Sequence, residues 1–445
     1  MSTPSQAQNA TDQAYRLPAD SSWGKAYKTA FAVGGVGAIG MVALAMQDSE
    51  RFAFSYLFAY IAFLTIALGG VFFGILQWLT NAGWSVTIRR LTEFLHWPLW
   101  VFLILFAPIA LNLNQLYPWV NHGGHGEHGA EHAEEHGEAK GGEHSGDEHD
   151  APAIEGVLPE AEHAAHAKVL AEKEPYLNLT FFAIRAVIYF ASWIFISRKF
   201  FQNSTKQDVS GDPALTVSSQ RFAPVAIIFF ALTTTFAAFD WLMSLEPSWI
   251  STIFGVNFFA QCIVSLFATT ILIGLSLRAN GFYKKAVNVE HFHDLGKLQF
   301  GFLVFWAYVN FSQYMLIWYA SIPEETTYYH KRWDDGGAGW KAWSIALIFG
   351  HFIVPFFIIL SRHAKRALSP LALGAAIILA FHFAMVYWLV LPYYGNGLNP
   401  SLMDLACLMF VGGIYFGLVF LRMTKHPLIP VKDPRLPRSL HFINA

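Results

Sequence analysis

Charged side chains are scarce in this sequence: Asp, Glu, Lys and Arg make up 13% of 445 residues, while 54% are hydrophobic and 16% aromatic. An ordinary soluble domain is about a quarter charged. So little charge cannot coat a water-facing surface, which excludes a soluble globular chain. Cysteine is scarcer still, with Cys262 and Cys407 alone, both inside apolar runs. No CxxC, CxxCH or clustered thiolate set exists, which argues against an iron-sulfur cluster or covalent haem held by this chain. The first 26 residues are polar and show no apolar run followed by a small-residue cleavage site. No signal peptide is therefore expected.

Long apolar runs take the place of charge. A bilayer span needs about 20 largely apolar residues. Ten such stretches lie near 27–46, 54–77, 95–113, 178–197, 222–243, 252–276, 298–320, 342–360, 369–391 and 402–421. A membrane barrel would show short alternating segments instead, so the expected fold is an all-α integral membrane protein with ten transmembrane helices. Lys and Arg set the orientation. With the N-terminus inside, 21 basic residues fall on the cytoplasmic side and 7 on the other. The expected layout is a cytoplasmic segment 1–26, helices one to three over 27–113, and an outer loop over 114–176. Helices four to ten follow over 177–422, then a cytoplasmic basic, Pro-rich tail over 423–445.

The outer loop contains NHGGHGEHGAEHAEEHGEAKGGEHSGDEHD, and extended to His166 it carries half of the 18 histidines. Nothing in it could bury an apolar face. A metal-buffering role competes with a plain solvated loop, since neither spacing nor a supporting shell fixes a coordination geometry. The tail KHPLIPVKDPRLPRSLHF suits lipid headgroups or a partner.

A repeat lies in the middle of the chain. NAGWSVTIRRLTEFLHWPLW precedes span three and ANGFYKKAVNVEHFHDLGKL precedes span seven. Each carries Asn and Gly, an aromatic, a basic pair (Arg89 and Arg90; Lys284 and Lys285) and Glu-x-x-His (Glu93 and His96; Glu290 and His293). The units are 197 residues apart, with four helices between them. This suggests two related four-helix bundles, spans two to five and six to nine, with spans one and ten peripheral. Chance is the competing explanation, because these residue types are common at cytoplasmic membrane boundaries.

Glu and His at i and i+3 share a helix face. In both repeats they would stand together at a cytoplasmic mouth and suit proton collection, because a carboxylate raises the proton affinity of imidazole. The alternative is a helix N-terminus with acidic residues facing water. His291 and Asp294 belong to the second mouth. Within the spans, Arg185, Asp240, His351, His382 and Asp404 are costly to bury and usually face a bundle interior. Asp240 and Asp404 could equally be boundary carboxylates that cap a neighbouring helix. His351 and His382 lie about 15 Å from the outer ends of spans eight and nine at 1.5 Å per residue. Three readings stay open for them: a proton relay, ordinary hydrogen bonding, or ligation of a b-type haem. Bulky HFIVPFF and FHFAMVYW do not favour the haem. Asn310, Ser312 and Gln313 in span seven could hold water for a proton wire or simply bond between helices.

FDWLMSLEPSWISTIFGVNFF, VNVEHFHDLGKLQFGFLVFWAYVNFSQYMLIWYASIPEET and YLNLTFFAIRAVIYFASW resemble the NrfD/polysulfide-reductase-type membrane subunits of bacterial alternative complex III, the second of the two in particular. The likeness covers spans four to eight closely, about 175–365. It implies an inner-membrane subunit of a quinol:cytochrome c oxidoreductase, built from two four-helix bundles. The expected partners are multihaem and monohaem c-type cytochromes, an iron-sulfur subunit, the first NrfD-type subunit and the lipid bilayer, with a terminal oxidase as a further one; no nucleic acid is expected. Haem and iron-sulfur clusters would reside in those partners. Quinol oxidation in the family is assigned mainly to the first NrfD-type subunit, so no redox step is expected of this chain alone.

Carried onto these positions, the resemblance implies a proton path. Glu93, His96, Glu290, His291, His293 and Asp294 would form its cytoplasmic side. Asn310, Gln313, His351 and His382 would continue it, with Arg185, Asp240 and Asp404 nearer the outside. A quinone headgroup would meet Asp240, Trp241 and Tyr319, and the outer loop SIPEETTYYHKRWDDGGAGWK would dock periplasmic subunits. A secondary transporter is the rival reading. Transporters, however, often have inverted repeats with paired broken helices, whereas a four-helix interval gives parallel repeats. A b-haem electron carrier is the second rival.

Overall fold

The computed structural model describes residues 15–122, 168–169, 171–333, 337–395 and 397–444. The chain is an all-α integral membrane protein, with no strand among the described residues. Among the described residues ten helices are long and apolar enough to cross a membrane: α1 Ser22–Ala45, α2 Ser49–Leu79, α3 Val86–Leu111, α4 Leu179–Ser210, α5 Pro213–Leu245, α6 Phe254–Ala279, α7 Val289–Ala320, α8 Trp340–Ile359, α9 Leu368–Tyr393 and α10 Leu402–Lys425. Most of the His-rich tract falls outside the described residues, and so does the metal-buffering reading attached to it. An even number of spans puts both termini on one face, where the Leu428 N–H donates to the Tyr15 carbonyl at 2.9 Å. That side is called the termini face below, and the other the loop face.

Local chemistry sets the helix ends. Asp48, Asn178 and Asp212 cap α2, α4 and α5 by accepting a backbone N–H, the usual remedy for donors left over at a helix start. Gly211 closes α4 with φ of 68°, a conformation that costs glycine little. Span three is not one smooth helix: it breaks into Val86–His96, Leu99–Leu105 and Ala107–Leu111. Pro98 and Pro108 lack the N–H that would bond four residues back. In α8, Ile348–Ile353 is a π-helical turn. Pro355 cannot donate to the His351 carbonyl, and the wider turn fits that loss. The partners of α3 and α8 in the repeat, α7 and α4, run unbroken, so the interruptions are not paired.

Two four-helix rings result. In the first, α2, α3, α4 and α5 each pack on the next and α5 returns to α2; in the second, α6 to α9 do the same. The rings meet along α2 and α6, α2 also touches α9, and α6 touches α5. Exchanging the rings maps this pattern onto itself, as parallel four-helix repeats would require. The hydrophobic windows of α2 and α6 are 89% and 78% buried, so these two helices are the core of the molecule. They cross closely: a Cβ on Gly69 would stand 2.1 Å from the Cys262 carbonyl oxygen. Peripheral α10 leans on α2, and α1 lies along α10. A Cβ on Gly413 would meet the Gly34 nitrogen at 2.4 Å. Small residues allow such approach where no hydrophobic drive separates helix from lipid.

Candidate functional site

The second Glu-x-x-His unit opens α7. Asn288 caps it in a box with His291, whose N–H it accepts at 3.1 Å while its own N–H donates to His291 Nδ1 at 3.2 Å. The helix starts nine residues earlier than hydropathy alone suggests, because polar first turns do not register as apolar. Glu290, His293 and Asp294 therefore stand on its first turns. His293 Nδ1 is 3.6 Å from Asp294 and 3.9 Å from Glu290. Arg366 grips Glu290 with two bonds at 3.1 and 2.8 Å, and Lys297 pairs with Asp294 at 2.6 Å. Asn444 of the tail donates to Asp294 at 2.5 Å and lies 3.1 Å from His293. His291 turns aside, its Nε2 lying 3.2 Å from Ser439.

The first Glu-x-x-His unit is built differently. Glu93 accepts from Arg89 and from Arg90, each at 2.9 Å. Arg89 reaches Asp433 and Arg90 reaches Asp208 at 2.8 and 2.7 Å, while Arg435 closes on Asp433 at 3.1 Å. Three guanidiniums thus meet three carboxylates, all buried. Glu93 and His96 are not paired with each other. His96 lies deeper, with Nδ1 2.8 Å from the Ser197 hydroxyl. That hydroxyl already donates to the His96 carbonyl at 2.9 Å, so Nδ1 must carry the proton and Nε2 is left bare and buried, without a partner among the described residues.

Mid-membrane, His382 bridges the two rings. Its Nε2 is 3.1 Å from the Ala62 carbonyl and from Thr65, and its Nδ1 is 3.1 Å from the Gln261 side chain. With Nε2–H donating to Ala62, Nδ1 accepts from Gln261 if the amide is turned to present its nitrogen, which also satisfies that otherwise unpartnered nitrogen. His351, in the π turn of α8, is fully buried; among the described residues neither ring nitrogen has a well-formed hydrogen bond, the Phe381 backbone being its polar neighbour, and its ring lies 4.2 Å from the Trp306 ring. Along α7, Gln299 donates to the Val264 carbonyl at 3.3 Å. Asn310 exchanges amide bonds with Asn257 at 2.8 and 3.1 Å. Gln313 accepts from Ser251 at 3.2 Å and donates to Tyr329 at 3.3 Å.

Towards the loop face the charged groups are paired. Arg185 binds Asp240 with two bonds at 2.7 and 3.0 Å, and the Tyr189 hydroxyl adds a third at 2.7 Å. Asp404 accepts from Arg51 at 2.5 Å and Ser55 at 2.6 Å while its carboxylate also takes the Ser401 N–H. Sequence reading expected Asp240, Trp241 and Tyr319 to meet a quinone headgroup together. The structure does not gather them: both Asp240 oxygens are engaged, Trp241 is enclosed by Tyr60, Phe106, Phe190 and Trp193, and Tyr319 is 82% exposed. A headgroup at Asp240 would have to displace Arg185 or Tyr189.

The outer loop also folds back on its own bundle in part. Arg332 is buried and donates to the Trp388, Leu389 and Tyr328 carbonyls, and Lys331 pairs with Glu246. Sequence reasoning missed Arg51, Asp208, Gln261, Asp433 and Asn444. Sequence reading paired Glu93 with His96; the i+3 and i+4 spacing of Glu93 from Arg90 and Arg89 was the signal that could have shown the intrahelical pairing instead, while the missed residues are brought in from distant segments. Compared with models of known protein families and with curated proteins, the chain matches none.

Proposed function

We propose that this chain is a membrane subunit of a respiratory quinol:cytochrome c oxidoreductase of the alternative complex III type, and that its second bundle carries protons. Support for the complex comes from the sequence resemblance across spans four to eight and from the two-ring architecture that the resemblance implies. Support for proton movement comes from one observation above all: His351 is a fully buried imidazole whose ring nitrogens, among the described residues, have only the Phe381 backbone as a polar neighbour and no well-formed hydrogen bond. Such a group costs free energy unless it has a role or an ordered water partner.

The reading assigns His293, Glu290 and Asp294 to proton collection, on the face that the positive-inside bias makes cytoplasmic. His351, His382, Asn310 and Gln313 continue inward, with water bridging the gaps. Arg185, Asp240 and Asp404 hold helix ends together by charge pairing, and the subunit supports assembly with cytochrome and iron-sulfur partners. The chain takes no redox step itself. Unpaired interruptions in α3 and α8 speak against a stand-alone transporter of the inverted-repeat kind. A b-haem carrier is disfavoured because both His382 nitrogens already have neighbours.

The test has two parts. Co-purification with c-type cytochromes is expected, and isolation as a single polypeptide with substrate uptake would favour the transporter. In liposomes holding the whole complex, the His293→Ala/His351→Ala variant should assemble and oxidise quinol while losing proton translocation. Unchanged translocation would sink the relay.

A further inference from the structure

A groove of about 470 Å³ runs along the outside of α4 beside Leu103 of α3. Its upper part is apolar, with Val187, Ile194 and Phe195 on one face of α4, and its foot is formed by Arg198, Lys199 and Gln202. From Val187 to Gln202 the helix rises about 22 Å. One leaflet of a bilayer, headgroup included, is about 20–22 Å thick. The apolar stretch of α4 from Leu179 to Ser197 spans about 28 Å, close to the roughly 30 Å hydrocarbon layer. Arg198 and Lys199 therefore stand where headgroups of the leaflet on the termini face begin.

The charge at this foot is unspent. Among the described residues neither Arg198 nor Lys199 has a hydrogen-bond or ion-pair partner, and the nearby acids are engaged elsewhere: Asp208 with Arg90, Asp212 as the cap of α5. Lys206 and Arg221 are exposed at the same end of α4 and α5 and add to the positive potential. A long apolar trough ending in two free cations at headgroup depth fits an acyl chain with an anionic head. A free inorganic anion would use the foot and leave the trough empty.

We infer that this groove is a binding site for an anionic glycerophospholipid of the leaflet on the termini face. Its phosphate is held by Arg198 and Lys199 with Gln202 beside it, and one acyl chain lies along α4 towards Val187. The inference is independent of the proposed respiratory role.

The experiment uses the full chain, in whatever assembly it purifies with, in mild detergent with phosphatidylglycerol or phosphatidylcholine of matched acyl chains. Native mass spectrometry counts retained lipid. Each cation near a membrane surface is worth about fivefold in affinity for anionic lipid. Wild type should therefore prefer phosphatidylglycerol by more than tenfold, and Arg198→Gln/Lys199→Gln should bring the ratio close to one. Ala191→Trp, which fills the trough, should reduce retention of both lipids while leaving the melting temperature unchanged. Equal preference in wild type and the double variant would overturn the inference, as would retention unaffected by Ala191→Trp.

Discussion

At the termini-face start of α3, bundle α2–α5 buries a cluster whose charges are paired with one another, whereas at the corresponding start of α7 bundle α6–α9 places a histidine among carboxylates that keep some contact with water. In the first, Glu93 sits between two arginines, and the Arg89, Glu93 and Asp433 side chains are each about 1% exposed or less. In the second, Lys297 is 49% exposed and Arg366 is 28% exposed, each beside a carboxylate of the α7 cluster. The same Glu-x-x-His spacing thus belongs to a buried lock in one bundle and to a partly water-exposed cluster, the one proposed above to collect protons, in the other. What separates them is the neighbourhood: Asp208 and Asp433 come from distant segments to pair with the arginines of the lock, whereas the two acids near His293, Glu290 and Asp294, lie on its own helix.

The largest effect that would test this contrast is on stability. Removing one member of a buried charge pair leaves its partner uncompensated, at about 3–5 kcal/mol. Arg89→Ala should therefore lower the melting temperature of the purified protein markedly, while His293→Ala changes it little. Comparable losses from both variants would erase the distinction between lock and exposed cluster.

The second effect is pH-dependent and belongs to the tail that completes the lock. Burial, together with the Arg422 and Arg90 guanidiniums, pushes His426 down to about 4 from the ordinary 6.5. Between those values the unfolded chain binds a proton that the folded one refuses, so stability falls as pH falls from about 6.5 to about 4. Burial would raise the Asp433 carboxyl, but Arg89 and Arg435 outweigh it and hold it below the usual 3.8. Its contribution is present above that value and is lost as pH falls through the folded one. Melting curves should therefore decline progressively below pH about 6.5, and His426→Gln should flatten the upper part of the decline. A flat profile in wild type would mean that the tail is not held as described.

The tail also limits what sequence could show. Composition made the ten spans legible, because a bilayer imposes length and apolarity on every crossing helix. The 197-residue interval between Glu93 and Glu290 revealed the two rings for a similar reason: helix order is a one-dimensional property. Side-chain partners are not. Asp433 is 344 residues from Arg89, and nothing at either position announces the other. The tail KHPLIPVKDPRLPRSLHF read as a segment for lipid or a partner, yet Ser439 joins Thr87 of α3 to His291 of α7 and so ties the bundles to each other. The quinone trio is not gathered because of direction, since Trp241 packs among aromatic rings while Tyr319 is exposed.

A smaller effect concerns access to His293. Asn444 shields His293 by bonding to Asp294. Asn444→Ala should leave the stability within about 0.5 kcal/mol of wild type, as is usual for a surface change, while raising the rate at which an acylating reagent modifies His293 several-fold. Deeply buried His351 should stay unmodified in both proteins. Equal modification of His293 in both would mean that the tail does not cover it.

A comparably small change in stability is expected at the seam of α6 and α7, and there the contrast can be sharpened without touching a charge. Asn257 and Asn310 exchange two amide bonds between neighbouring helices. Interhelical hydrogen bonds in membranes couple by about 0.6 kcal/mol on average. The cycle of Asn257→Leu, Asn310→Leu and the double variant should therefore show a coupling of that size, close to the limit of a thermal measurement. Function should respond out of proportion. Leucine cannot hold the water that would carry a proton from His293 past α7, so translocation by the whole complex should fall in each single variant and in the double one alike. Translocation that follows the modest stability losses, or does not change, would reduce this pair to helix adhesive and leave His351 and His382 as the remaining carriers.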